Sequence, residues 1–272
     1  MIGRGVLGTA LIDFFHASGW EVAPAYDMRE SIGREALNSR LSGKEAGELL
    51  FIVTPDDQIS VVSAQLSGFP DVDWCRYKVV HCSGALDSTL LSDLAGFGAT
   101  VASMHPIQTF IKGDGREKFE KISVSLEGDD ALCSELEELV REMKANPLKI
   151  SREQKVVIHT AAVIASNYMV SLMSAAGRLL ESVGVEEGFE LLKPLIRQTS
   201  ANVLVSGPKE VLSGPVKRGD SDTIRMHLHT LRNDSQLETL YKVLGREALR
   251  IATEKQELSD SEISELKELL RS

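Results

Sequence analysis

Gly3-Arg4-Gly5-Val6-Leu7-Gly8 opens the chain with the spacing G-x-G-x-x-G. Each glycine in that spacing has a physical task. The first allows a tight turn, the second lets a pyrophosphate approach the backbone, and the third lets a helix pack closely on a strand. The helix that follows presents N-terminal amides and the positive end of its dipole to the phosphates. The spacing alone is weak, because glycines also cluster in ordinary turns. Context strengthens it: a strand before, a helix after, and an acidic residue about 20 positions on. The helix is legible in Ala10, Leu11, Phe14 and Phe15, which share one face. Asp27 supplies the acid, at the end of a strand expected over residues 20–25. Only Met1 and Ile2 precede Gly3, so the numbered sequence is expected to start late, with most of its first strand lacking.

Outward from this loop, short apolar runs alternate with helical patterns. Further strands are expected at 49–53, 78–82, 99–104 and 122–126. Leu136, Leu139, Val140 and Met143 mark a helix after the last of them. Such alternation specifies an α/β fold with an open, mainly parallel sheet of the Rossmann type. The pattern changes near Asn146-Pro147, and no strand is legible beyond Arg152. One long apolar helix is expected over 156–181, with others at 189–205, 223–231 and 236–254. A last one opens on a capping box of Ser259 and Glu262. The expected organisation is a dinucleotide-binding domain over 1–150 and an all-helical C-terminal domain over 151–272, serving substrate binding and dimerisation.

Composition bounds the function. Of 272 residues, 43% are hydrophobic and 26% charged, which is ordinary for a folded protein. The net charge of -10 opposes binding to a phosphate backbone, so nucleic acid is not expected as a partner. Cys75, Cys82 and Cys133 have neither metal-ligand spacing nor an even count, so they read as reduced thiols and no metal is expected. No basic segment followed by an apolar run opens the chain, and the apolar stretch 156–165 is too short to span a bilayer. The expectation is a cytoplasmic protein without a membrane partner. The small residues of the long helix, among them Ala161, Ala162 and Ala165, suggest packing across a two-fold axis in a homodimer.

In a parallel sheet the carboxyl ends of all strands share one edge, and ligands bind outside it. Four unusual loops fall there: 3–8, 54–57, 81–84 and 105–110. Thr54 and Pro55 can wall the ribose and nicotinamide, and Ser83 and Gly84 can line the reactive nicotinamide face. His105 can give a proton or a hydrogen bond to a carbonyl or imine, whereas His81, at a strand end, reads as structural. Asp27 can accept hydrogen bonds from the adenosine ribose, favouring NAD. Arg29 can pair with a 2′-phosphate, favouring NADP.

These segments resemble the Rossmann-like proteins with a C-terminal helical domain of unknown function. Those are relatives of pyrroline-5-carboxylate reductase, ketopantoate reductase and F420-dependent NADP oxidoreductases. The resemblance is carried by residues 3–8, 54–57, 81–86 and 105–110, by 159–162 with Asn167, and by 213–220 with Thr223 and His227. It implies the two-domain fold and tips the cofactor toward NADP. The chain departs from the pattern at its short first strand and at Ile158, where a tyrosine is usual before the histidine.

Hydride transfer needs an acceptor carbon over a nicotinamide and a proton source for the heteroatom. His105, His159 and Asn167 are the catalytic candidates. His159 and Asn167 are spaced by two turns and would share a face of one helix. In the helical domain, Arg218 can take a carboxylate bidentately with Asp220 orienting it, or the two can simply pair. Thr199, Asn202 and His227 complete the substrate-binding candidates. The expected activity is an NAD(P)-dependent reduction of a small carboxylate-bearing ketone or imine. Ketopantoate reduction is a narrower alternative, and a dinucleotide-binding sensor without turnover is another. Convergent histidines favour the enzyme.

Overall fold

Ile2 sits between two stretches of chain, and this decides where a ligand can bind. The computed structural model describes every residue except 24, 27–30, 44–48 and 272, and omits the side chains of 31–34. Ile2 makes parallel bridges to Tyr26 on one side and Ile52 on the other. Its amide donates to Phe51 O at 2.8 Å and its carbonyl accepts from Val53 N at 2.7 Å, while Tyr26 N donates to Met1 O at 3.0 Å. The chain thus places its second segment to one side of Ile2 and its third to the other. That reversal is the switch point at which open α/β sheets bind ligands. No strand forms over the described part of 20–25, and the pairing falls at Tyr26 instead.

The elements run α1 (Val6–Ala17), α2 (Ser31–Leu41), β1 (Leu49–Ile52), α3 (Asp56–Ser67), β2 (Lys78–His81), α4 (Ser92–Gly96), β3 (Thr100–Pro106), β4 (Ser123–Gly128), α5 (Asp130–Glu142), β5 (Asn146–Lys149) and α6 (Arg152–Ala165). The sheet order is β1-β2-β3-β4-β5. All neighbours are parallel except β3 and β4. The four expected strands from 49 onward are present. β5 is an addition, hidden in the sequence because Pro147 interrupts it. A proline is tolerated on an edge strand, where its missing N–H breaks no ladder.

Both faces of the sheet are covered, as near-continuous apolar strands require. Val80, Phe51 and Met104 pack with Phe14, Phe15, Leu136 and Val140 on one face. Val79, Leu50 and Ile52 pack with Leu37, Ile59, Leu66 and Leu91 on the other. Adjacent β2 residues facing opposite ways is the period-2 alternation of a strand. Each such fully buried aliphatic side chain contributes on the order of 2 kcal/mol.

The contacts divide the chain after Tyr168, not at 150. The reason is α6, which packs on the sheet and buries Lys155 to 1% exposure. A capping box of Ser151 and Gln154 starts α6. The expected single helix over 156–181 is two: α6 stops at Ser166 and α7 (Asn167–Glu181) begins. By length and composition Arg152–Glu181 is apolar enough to cross a membrane, so shortness does not exclude it. The stretch is nonetheless broken at Ser166 and carries the buried Lys155.

The second unit, Met169–Ser272, is helical. It holds most of α7, then α8 (Gly188–Ser206), α9 (Pro208–Val211), α10 (Ser221–Leu231), α11 (Ser235–Glu254) and α12 (Asp260–Leu269). Its core is Val216, Ile224, Leu249, Leu266 and Leu270. The Ser259–Glu262 capping box forms as expected: Ser259 N donates to Glu262 Oε2 at 2.8 Å.

Candidate functional site

The glycine loop is built as a cradle. Gly3 has φ +94°, a conformation L side chains rarely adopt, and a Cβ there would collide with the Val53 carbonyl. A Cβ on Gly8 would stand 2.7 Å from Gly3 O, so the helix can close on the turn only as glycine. A Cβ on Gly5, in contrast, meets nothing within 4 Å, leaving the loop open to a ligand. Gly5 caps α1 without any side-chain hydrogen bond, so amides of the first turn are not claimed by a capping side chain. Arg4 and Val6 are exposed, whereas Leu7 is half-buried against the core. Thr54, at the end of β1, has a buried hydroxyl with no hydrogen-bond partner, and Pro55 caps α3 beside it. An open anion cradle beside an orphaned hydroxyl fits the pyrophosphate and ribose of a dinucleotide. Asp27 and Arg29 lie outside the described residues.

A second feature lies after β2 and β3, on the same sheet edge. His81, Ser103 and Glu127 stand in register across β2, β3 and β4. Cross-strand partners share a face, and all three are buried, at 0%, 0% and 3% exposure. Lys155 comes down from α6 and donates to Ser103 Oγ at 2.6 Å. Glu127 accepts from Ser88 N and Oγ, both at 2.8 Å. Burial lowers the Lys155 pKa, while Glu127 is the largest influence raising it. Ser103, Glu127 and Lys155 escape sequence reasoning, since a lone lysine in a helix reads as solvated. The one available signal was Lys155 four residues before His159, hence on the same helical face.

The row contains one histidine, His81, and two more, His105 and His159, meet beside it. His81 has both ring nitrogens engaged within the protein. One ring nitrogen meets Asp87 O at 3.0 Å and the other accepts from Ser83 N at 3.2 Å. Burial, with Lys155 adding to it, holds its pKa at about 4. His105 Nδ1 lies 3.1 Å from the Cys82 carbonyl oxygen. A carbonyl oxygen only accepts, so Nδ1 carries the hydrogen. Burial pushes the His105 pKa down to about 4, against a smaller opposing effect of that hydrogen bond. At neutral pH the ring is therefore uncharged and Nε2 is a bare lone pair. In that form the free nitrogen of His105 accepts a hydrogen bond.

Gly84 is where the rings converge. A Cβ there would stand 2.8 Å from His105 Nε2 and would also collide with His159 Nδ1. The His159 Nδ1 atom is buried without a hydrogen-bond partner. Ser83 does not present a free hydroxyl. Its Oγ donates to Asp56 Oδ2 at 2.8 Å and accepts from Leu86 N at 3.0 Å, so it shapes the loop. Asn167 does not share a helix face with His159, because the break at Ser166 lies between them; it opens α7 and is exposed.

The remaining candidates belong to the second unit. Arg218 is 62% exposed and lies 3.6 Å from Asp220 Oδ2. Asp220 caps α10, accepting from Thr223 N at 3.0 Å and Thr223 Oγ1 at 2.7 Å. His227 Nδ1 is 2.8 Å from Tyr241 Oη. Asn202 Oδ1 accepts from Gln198 Nε2 at 2.8 Å, and Thr199 is exposed on the same helix. Among the described residues, no group of three or more His, Cys, Asp or Glu side chains is placed to hold a metal ion.

Residues 122–248 match the model of a domain of unknown function, DUF2520. No curated protein matches the chain. Among solved structures, a Bacteroides fragilis protein provisionally assigned as an NADP oxidoreductase superposes with a TM-score of 0.71 at 23% identity, over 92% of this chain and 96% of its own. A Thermotoga maritima protein gives 0.70 at 24% identity, over 94% and 98%. An imine reductase of Myxococcus stipitatus in complex with NADP+ gives 0.56 at 15% identity, over 99% and 98%. The chain shares the fold of these proteins, a mainly parallel Rossmann-type sheet followed by a helical C-terminal region.

Proposed function

We propose that the protein is an NAD(P)-dependent oxidoreductase that reduces a small carboxylate-bearing ketone or imine. The observation that carries this reading is the placement of two features on one sheet edge. The open glycine cradle sits at the switch point beside Ile2, and the His105–His159 pair sits over Gly84, two strands away. Gly3, Arg4, Gly5, Val6, Leu7 and Gly8 would hold the pyrophosphate, with Thr54 and Pro55 at the ribose. A bound nicotinamide dinucleotide supplies the hydride. Similar folds solved with NADP+ and, in a variant, NAD+ support the cofactor class, with NADP preferred.

The chain's own residues then divide the work. His105 and His159 orient the reacting group, and the buried row of His81, Ser103, Glu127 and Lys155 ties β3, which carries His105, to α6, which carries His159. In the second unit, Arg218, Asp220, Thr199, Asn202 and His227 keep their place as substrate-binding candidates, with the Arg218 guanidinium suited by its chemistry to a carboxylate. Asn167, exposed at the start of α7, keeps a secondary place among the catalytic candidates. The protein is proposed to be cytoplasmic, and to be homodimeric since Val156, Val157, Ile164, Met169 and Val170 are exposed apolar residues along α6 and α7.

Melting with NADPH and with NADH tests the cofactor. Dinucleotide oxidation with a panel of 2-oxo acids and cyclic imines tests catalysis. A shift with NADPH and turnover of one member is the expected result. Absence of any shift at millimolar dinucleotide removes the reading.

A further inference from the structure

A ketone and a protonated imine differ in what they show a histidine. The ketone oxygen offers only lone pairs, whereas the iminium nitrogen offers an N–H and a positive charge. At Gly84 the protein has made its side of this choice. His105 spends its one hydrogen on the Cys82 carbonyl, at 3.1 Å, and aims the bare Nε2 at the glycine. His159 aims an unpartnered Nδ1 at the same place. A ketone oxygen brought to His105 would set lone pair against lone pair, with no hydrogen between them.

We propose that His105 Nε2 accepts a hydrogen bond from the N–H of a protonated imine, so that the substrate of this site is an iminium rather than a ketone. This rests on the oxidoreductase reading above. The chemistry needs no acid from the protein. The iminium carbon accepts a hydride and forms a C–H bond. The C=N π pair becomes the nitrogen lone pair, the product is a neutral amine, and the positive charge passes to the oxidised nicotinamide. No proton moves in that step, which suits a histidine that has none to give. Of the charged groups influencing His105, Lys155 and His159 oppose a cation and the Asp56 carboxylate favours one. Gly84 is required because a Cβ there would collide with both rings and push the two nitrogens out of place.

The test needs no turnover. Full-length protein with 15N-labelled histidine is titrated at pH 7 with three probes, following the imidazole nitrogens and the melting temperature. Pyrrolidinium carries N–H and charge, N,N-dimethylpyrrolidinium carries charge without N–H, and cyclopentanone carries only an acceptor. His105 is expected as the Nδ1–H tautomer. Pyrrolidinium is expected to move the Nε2 resonance and to bind about tenfold more tightly than either other probe, one charge-assisted hydrogen bond's worth. His105→Gln is expected to abolish that preference. An Nε2–H tautomer, a lack of response to pyrrolidinium, or cyclopentanone binding as tightly overturns the proposal. The NADPH melting shift is measured on the same sample. Its failure removes the oxidoreductase reading while leaving the histidine result to stand by itself.

Discussion

The rings of His105 and His159 meet edge to face, with centroids 5.8 Å apart and planes at 76°, and both press on Gly84. The two residues are brought from β3 and α6, and the contact leaves a free nitrogen of each ring aimed at one glycine.

Gly84→Ala should therefore act on both rings at once. The added methyl collides with two imidazoles packed in a buried turn, and overpacking of this kind typically costs about 1–3 kcal/mol. Urea denaturation should register a loss of that size. Turnover of the best substrate from the panel should fall far more than stability alone explains, while the NADPH-induced melting shift survives. Unchanged turnover would place the reacting group away from Gly84.

Gly3→Ala and Gly8→Ala should give the complementary result. The first forces an L residue into φ +94° against the Val53 carbonyl, and the second closes the turn at 2.7 Å from Gly3 O. A single left-handed residue costs about 1–2 kcal/mol, and the cradle is displaced as well. Both variants are expected to lose the NADPH melting shift. Retention of a wild-type shift by both would count against the cradle as the phosphate site.

Acid should destabilise the fold between about pH 6.5 and about pH 4. An unfolded histidine takes a proton near its ordinary value of 6.5, whereas native His81 and His105 refuse one until about 4. Across that window the unfolded state binds more protons, so stability falls as pH falls. Each histidine contributes on the order of 3 kcal/mol to this loss. Denaturation midpoints measured from pH 7 to pH 4 should show the slope, and His81→Gln should flatten it. An unchanged slope in that variant would show that His81 titrates normally.

Lys155→Met should move that window. The substitution keeps the stem's bulk and removes the charge that Ser103 Oγ accepts from at 2.6 Å. The Lys155 cation lowers the pKa of both His81 and His105, so both should titrate at higher pH in the variant. NMR titration of the imidazole C2 protons reads this directly. Stability at pH 7 should drop by about 1–3 kcal/mol, because Ser103 and Glu127 lose the buried positive partner. Histidine titrations identical to wild type would place Lys155 too far away to matter.

Replacement of Val157 and Val170 by glutamate should convert a dimer into monomers. Both side chains are exposed apolar groups in this chain, at 65% and 68%, and a buried unpaired carboxylate opposes association. Light scattering at micromolar concentration checks it. A wild-type monomer would remove the dimer proposal.

Local patterns made much of this protein legible in one dimension. Glycine spacing, strand-end loops and 3.6-residue periodicity depend on neighbours in sequence, so the glycine loop, four of the five strands among the described residues and the Ser259–Glu262 cap could all be read directly. β5 was hidden by Pro147, which disqualifies a central strand but not an edge one. The break at Ser166 was hidden because apolar spacing runs on through it. The chemical character of the site was decided only in three dimensions. Whether His105 gives or accepts a hydrogen depends on the Cys82 carbonyl, 23 residues earlier in the chain. The burial of Lys155 depends on Ser103, 52 residues earlier. Sequence determined that a histidine and a lysine would be present. Tertiary packing set which nitrogen of the histidine is bare and removed the lysine from water, because protonation and desolvation are properties of surroundings that distant strands and helices supply.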